Sequence, residues 1–309
     1  MEPEMSRPAI PREIKRAVLI EAGHRCAIQT CKYPAVDVHH IIPWEKTKDH
    51  NYDNLIALCP NCHRRADRGE IDRKSLRMYK AQLSASIGEH AVVTNQEYYI
   101  INESQEGHPG YEFEFKVPRF VDPDLRVVED YFRTLGNRLL HEHRNYHYLL
   151  EPLDIEFTMG PNLTTGSFEI MWLTSLLVSI KYRIYEYGSG AMHGNGKSIT
   201  RTYLRDPVQH LDLKHLFNSE DYLLILSKLT REALLQDGGR DEFWVRGGTE
   251  PLEKNFASFN LVSGGLLLTF DEYVVDCYAA GPQVIEISWG KLKDIMNPRL
   301  LFLSSQSLG

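Results

Sequence analysis

The chain lacks an apolar run long enough to cross a bilayer. The longest, Met171-Trp172-Leu173-Thr174-Ser175-Leu176-Leu177-Val178-Ser179-Ile180, is broken by hydroxyl residues and then alternates, so it reads as buried strand. Residues 1–8 carry neither a basic n-region nor an apolar h-region, and no export signal is expected. No internal repeat or low-complexity tract interrupts the sequence, which excludes solenoids and disordered tails. Cysteine is scarce: there are five, four of them within residues 26–62. Without an export signal, and with Cys277 left over, a disulfide framework is disfavoured and a reducing, cytoplasmic setting without a membrane partner is expected.

What remains is an ordinary globular composition, 42% hydrophobic and 25% charged over 309 residues, enough for two domains each with its own core. The net charge of −7 is unevenly spread. Residues 1–90 hold 15 Lys and Arg against 12 Asp and Glu, whereas the remainder holds 20 against 30. Only the first part therefore suits a phosphate backbone.

Periodicity predicts an α+β chain. Pro11 opens a helix whose stripe is Ile14, Ala17, Val18 and Ala22, with Gly23 ending it. Strands are expected at 36–42 and 54–58, a helix at 63–68 stopped by Gly69, and another at 73–83 capped by Asp72. Residues 84–88 read as a hinge, which gives domains 1–88 and 97–309. The second domain should contain strands at 98–101, 111–117, 153–159, 167–173, 176–187, 257–261, 266–270 and 284–288, a long helix opened by Asp122-Pro123, and helices at 220–236 and 291–296. Blocks of strands with few helices imply a mainly antiparallel sheet with helices packed on it.

The chemistry is concentrated in Cys26-x4-Cys31, His39-His40-Ile41-Ile42-Pro43, Asn54-Leu55 and Cys59-Pro60-Asn61-Cys62-His63. Two cysteine pairs at such spacing predict a tetrahedral site for structural Zn²⁺ made by Cys26, Cys31, Cys59 and Cys62. The ordered series resembles the HNH endonuclease family. That resemblance implies a zinc-stabilised ββα-metal domain in which His39 and His63 bind the catalytic ion, His40 is the general base and Asn54 orders the loop carrying it. Asp67 lies one helical turn after His63 and shares its face, so it is either a third, hard ligand or a solvated partner of Arg64 or Arg68. A carboxylate there favours Mg²⁺ or Mn²⁺, with Ni²⁺ or Zn²⁺ also admitted by the imidazoles. Arg64, Arg65, Arg68, Arg73, Lys74 and Arg77 follow on two helical segments and are expected to contact DNA phosphates without reading bases.

The second part is similar to a domain of bacterial envelope proteins, the ectodomain of a lysozyme-sensing anti-sigma factor and the non-catalytic part of a peptidoglycan deacetylase. The likeness is carried by Tyr187-Gly188-Ser189-Gly190-Ala191-Met192-His193-Gly194, Leu211-Asp212-Leu213-Lys214-His215-Leu216-Phe217 and Ile285-Glu286-Ile287-Ser288-Trp289-Gly290. Gly188, Gly190, Gly194 and Gly196 are expected to allow positive φ, and Gly190, His193 and Gly194 form a candidate ligand loop in which His193 otherwise bonds its own turn. Cys277 reads as a small buried hydrophobe, His24, His50 and His90 as surface residues, and His141, His143 and His147 as polarity near a helix end. The combined reading is a metal-dependent DNA endonuclease of a bacterial cytoplasm, an antiphage effector whose C-terminal domain binds a phage or host protein. A zinc-stabilised DNA-binding adaptor without cleavage activity is the alternative, and homo-oligomerisation is left open.

Overall fold

A computed structural model describes residues 8–88, 97–107, 109–149, 160–205, 207–236 and 238–308. The N-terminal module begins with helix α1 (Arg12–Glu21), which buries Ala17 and Val18 and ends where Gly23 turns to φ +59°. Strand β1 (Asp37–His40) and β2 (Leu55–Leu58) form an antiparallel pair that sets His39 opposite Ile56 and His40 opposite Leu55. A one-turn helix α2 (Trp44–Thr47) lies in the connection, and helices α3 (Pro60–Asp67) and α4 (Arg73–Gly88) follow.

Helix α3 starts three residues earlier than the sequence indicates, because Pro60 supplies a preset φ and Cys59 caps the turn. The expected hinge at 84–88 is instead the last stretch of α4. Serine and alanine there do not break a helix, and no proline intervenes. Glu21 of α1 and Lys80 of α4 form a buried ion pair, with the ammonium 3.8 Å from the centre of the Tyr52 ring. Burial pushes the Lys80 ammonium below its ordinary value while Glu21 pulls it back up.

The second domain is built on a six-stranded sheet in the order β3 (Tyr98–Gln105), β4 (Tyr111–Pro118), β5 (Asn162–Leu173), β6 (Leu177–Tyr187), β7 (Asn195–Arg205), β8 (Val208–His210). All neighbours are antiparallel except β4 and β5. The parallel step is made possible by the long helix α5 (Arg126–Leu149), which packs across β4. Helices α6 (Tyr222–Leu235) and α7 (Glu242–Gly248) precede a three-stranded sheet, β9 (Phe259–Leu261), β10 (Gly265–Phe270) and β11 (Gln283–Ser288), with β10 central, and α8 (Trp289–Leu292) follows. The strand expected at 153–159 lies outside the described residues.

Two cores result. Phe113, Phe115, Phe132 and Tyr182 lead the one between α5 and the large sheet. The other is continuous from the N-terminal module into the three-stranded sheet. Its connection is a 3-10 segment, Pro298–Leu308, that packs against both α1 and α4 and buries Leu300, Phe302 and Leu303. Arg299 adds an ion pair to Glu13 at 3.0 Å, and Lys293 another to Asp53. The two units therefore share apolar surface and are not beads on a string.

Candidate active site and zinc cluster

The four N-terminal cysteines converge. Cys26 and Cys31 flank a tight loop closed by Cys31 N–H donating to the Ile28 carbonyl at 2.8 Å, and Ala27 ties that loop to Ala57 of β2. Cys59 and Cys62 occupy the first turn of α3, where the Cys59 sulfur accepts from Cys62 N–H at 3.4 Å. All four sulfurs lie within 4.8 Å of one another, and Cys31 Sγ stands 3.7 Å from Cys59 Sγ. That separation is far too long for a disulfide, but a tetrahedron with Zn–S bonds of ~2.3 Å has edges of ~3.8 Å.

The local electrostatics agree with a cation. Burial pushes the Cys26 and Cys62 thiols up, whereas at Cys59 burial is outweighed by hydrogen bonds, first from the Cys62 N–H, which lower it to about 7. Four thiols this close, three of them on buried residues, need a compensating positive charge to ionise together, and the set fits structural Zn²⁺.

A second cluster is built from β1 and α3. His39 of β1 and His63 of α3 meet edge to face with ring centres 4.7 Å apart, and His39 Nδ1 lies 3.7 Å from Asp67 Oδ1. One donor atom from each of His39, His63 and Asp67 falls within 4.8 Å of the others, so the three can embrace a single small ion. The half-buried imidazoles and the exposed carboxylate leave one side open to solvent. Among the described ion pairs Asp67 meets His39 and not Arg64 or Arg68; Arg65 and Arg68 pair with Glu70 instead.

His40 takes different neighbours, as alternation along a strand requires. It is 5% exposed, and its Nε2 lies 3.1 Å from Nδ1 of His50, whose Nε2 lies 3.1 Å from the Pro8 carbonyl. A carbonyl can only accept, so His50 Nε2 carries the proton. In neutral His50, Nδ1 is then the acceptor, so His40 Nε2–H donates to it and the His40 lone pair resides on Nδ1. His50 is thus not the isolated surface residue that its sequence position suggests. A histidine ten residues downstream in a loop carries no periodic signal by which it could have been found.

Asn54 fastens the same segment from the other side. Its Nδ2 donates to the Ile42 carbonyl at 2.8 Å and its Oδ1 accepts from Ile42 N–H at 2.7 Å, while its own carbonyl receives Ile41 N–H at 2.8 Å. The chain leaving β1 just after His40 is held by three hydrogen bonds to one residue. Arg64, Arg65, Arg68, Arg73, Lys74 and Arg77 are all exposed, on α3, the turn after it and the first turns of α4.

Several expectations for the second domain change. Of the loop glycines only Gly190 takes a positive φ, +81°. Gly194 is required by space, since a Cβ would stand 2.4 Å from the Tyr185 ring. His193 stacks on Tyr278 at 3.9 Å and its Nδ1 sits 3.1 Å from the Gly194 carbonyl, so it is held within its own loop. Cys277 is exposed, because it precedes a surface 3-10 turn and does not lie in a strand. His143 is buried at 9% exposure under Tyr111 and Phe113, against the expectation of surface polarity; its position in α5 faces the sheet. His24 is exposed as expected, and His90 lies outside the described residues.

Comparison with known proteins agrees with both halves. Residues 24–69 match the family described as HNH endonuclease, and residues 214–290 match a family described as a protein of unknown function, DUF3298. The peptidoglycan-N-acetylmuramic acid deacetylase PdaC of Bacillus subtilis is 28% identical over 163 residues, which are 52% of this chain and only 35% of that protein. A DUF3298 family structure from Pseudomonas aeruginosa aligns at TM-score 0.49 and 16% identity over 67% of this chain and 96% of its own. Another from Bacteroides fragilis aligns at TM-score 0.47 and 15% identity over 69% and 98%. No described helix is long and apolar enough to cross a membrane. The chain thus joins an N-terminal segment that matches the HNH endonuclease family to a C-terminal segment that matches the DUF3298 family.

Proposed function

We propose that this protein is a metal-dependent DNA endonuclease that hydrolyses phosphodiester bonds with His40 as general base. The observation that carries the reading is the convergence of His39, His63 and Asp67 beside His40, the buried last residue of β1, whose ring is oriented by His50. Two imidazoles and a carboxylate suit a divalent ion such as Mg²⁺ or Mn²⁺, and Ni²⁺ or Zn²⁺ as well. When bound, such an ion supplies Lewis-acid stabilisation of charge on the phosphate oxygens.

The residues do the rest. His40 Nδ1 takes a proton from water as that oxygen attacks phosphorus, and the opposite ester oxygen leaves in line. His50 holds the receiving tautomer and lets the imidazolium share its charge with the Pro8 carbonyl. Asn54 fixes the backbone behind His40 so that the ring does not wander. Arg64, Arg73, Lys74 and Arg77, which have no acidic partner among the described ion pairs, are free to receive phosphates on either side of the cut.

Plasmid cleavage with each of these ions tests the reading. His40→Ala should lose on the order of 10²-fold or more in rate while still binding DNA. His39→Ala and His63→Ala should raise the metal concentration required. Full activity in the His40→Ala protein would overturn the mechanism. A wild-type protein that binds DNA but does not cut it in the presence of any of these ions would make it the zinc-stabilised adaptor.

We also propose that the DUF3298 domain governs the nuclease, as expected of a defence effector answering to a phage or host protein such as an endolysin. The support is the shared core, since a ligand that shifts the 298–303 segment acts directly on α1 and α4. Cleavage by the full chain with and without purified endolysin tests it, and an unchanged rate would refute that partner.

A further inference from the structure

The connection from β1 to β2 carries both groups that place His40, and they lie within five residues of each other. His50 meets the ring itself, Nδ1 to Nε2 at 3.1 Å, and Asn54 holds the chain just after it through Ile41 and Ile42. The residues leading into Asn54 are wound into a single 3-10 turn, Tyr52–Asn54. Asn51 closes that turn, accepting the Asp53 N–H at 2.9 Å on its side chain and the Asn54 N–H at 3.0 Å on its carbonyl. Residues 50–54 therefore behave as one unit, and a shift of its middle displaces His50 and Asn54 together.

That unit is gripped at two points. Tyr52 is 2% exposed, with the Lys80 ammonium 3.8 Å from its ring centre. Asp53 points about a third of a turn away, as successive residues of a 3-10 turn do, and its carboxylate receives the ammonium of Lys293 from the far end of the chain. Lys293 stands on backbone that cannot follow the loop. It comes directly after Leu292, which is fully buried like Trp289, and just before a stretch in which Met296 bridges to Phe217. Asn218 N–H donates to the Ile295 carbonyl at 2.9 Å, and Asn297 N–H to the Leu216 carbonyl at 2.7 Å. The Lys293 side chain is 29% exposed and that of Asp53 48%. A pair this open to water adds little to global stability. What it supplies is a fixed point: one residue of the loop is tied to the frame of the sheet domain.

We propose that Lys293 is a positioning residue for the nuclease: paired with Asp53, it holds residues 50–54 so that His50 and Asn54 present His40 beside the metal cluster. The inference rests on the reading of His40 as general base, and it makes the sheet domain a contributor to the geometry of the site. Small misplacements of a reacting group slow a reaction without weakening substrate binding, so the effect belongs in kcat. A second ion pair between the same two units, Arg299 with Glu13, lands on α1 and not on the loop, and so separates positioning from mere docking.

Plasmid cleavage with Mn²⁺ and amide hydrogen exchange, both on the full-length zinc-loaded protein, test the proposal together. Lys293→Met keeps the stem and removes the charge. It should lower kcat about fivefold, with the KM for DNA and the Mn²⁺ requirement unchanged, and speed exchange of the Ile41 and Ile42 amides by a similar factor. Lys293→Arg should restore both, as should the exchanged pair Asp53→Lys with Lys293→Asp, whereas Arg299→Met should alter neither. Wild-type kcat and exchange in Lys293→Met overturn the proposal, and so does an equal loss in Arg299→Met. A lowered kcat with unchanged exchange at Ile41 and Ile42 overturns it too, since the charge would then act on DNA directly. If even the wild-type protein leaves the plasmid uncut, the nuclease reading fails while exchange still decides the link. Protection lost in Lys293→Met but kept in Arg299→Met then upholds it, and protection kept in both overturns it.

Discussion

Replacing Phe302 with alanine should destabilise the nuclease module, although the residue lies beyond the whole sheet domain in sequence. Phe302 is 4% exposed, between Leu300 and Leu303 at 3% and 1%, on the segment that covers α1 and α4. Truncating a buried phenylalanine costs about 3–5 kcal/mol, from lost transfer energy and the cavity left behind. Whole-domain stabilities are about 5–15 kcal/mol, so this loss is a large fraction of the total. With a urea slope of about 2 kcal/mol/M, the unfolding midpoint should fall by about 2 M. The readout is release of zinc to a chromogenic chelator along a urea titration, because the four cysteines report on the N-terminal module alone. Met192→Ala is the control, since that side chain is fully exposed and should shift the midpoint by less than about 0.5 kcal/mol equivalent. If zinc release in Phe302→Ala tracks wild type while the tryptophan fluorescence of the sheet domain shifts, the shared core does not support the nuclease module.

Three further outcomes are expected. Cys59→Ala should abolish stoichiometric zinc and fray the start of α3, measured by metal analysis and by hydrogen exchange at residues 60–67, because one side chain serves both as cluster member and as helix cap. His50→Phe should preserve DNA binding and the metal requirement but lower kcat about tenfold or more, since the ring that fixes the His40 tautomer is lost; an unchanged kcat and pH profile would remove His50 from the mechanism. Hydrogen bonds from Arg144 first, then Tyr111, hold the Glu103 carboxyl down at about 2, against 4.5 ordinarily. This folded-state value is depressed, so its stabilising contribution is complete above the ordinary value and is lost as pH falls toward about 2; Glu103→Gln should flatten acid unfolding in that window, as followed by circular dichroism.

The segment that gathers the four cysteines and His39, His63 and Asp67 was legible because metal chemistry restricts residue types and short spacings fix geometry: Cys59 to Cys62 is one helical turn, and so is His63 to Asp67. Strands with clear alternation, such as Tyr111–Pro118, were equally readable. Strand β7 was not. Its inward positions include Ser198, Thr200 and Thr202, each no more than 5% exposed, and Thr202 shares a hydrogen bond of 2.9 Å with Ser179. A strand whose buried face carries hydroxyls gives no apolar period to find. Helix α7 is short and ends in Gly247-Gly248, which reads as a loop until Gly248 is seen to meet the Val274 carbonyl at a distance that admits no Cβ. The pairing of His40 with His50, and the docking of Leu300 and Phe302 on the N-terminal helices, depend on tertiary approach alone.

That docking also sets an order of events during synthesis. The HNH segment leaves the ribosome first, and its cysteines can fold around their ion at once. Its helices α1 and α4 nevertheless wait with an uncovered apolar face until the entire sheet domain and then residues 298–303 have emerged. A ribosome that stalls between the two leaves a half-finished chain whose open face is a target for chaperones and proteases, so the N-terminal module accumulates in stable form only together with the domain fused to it.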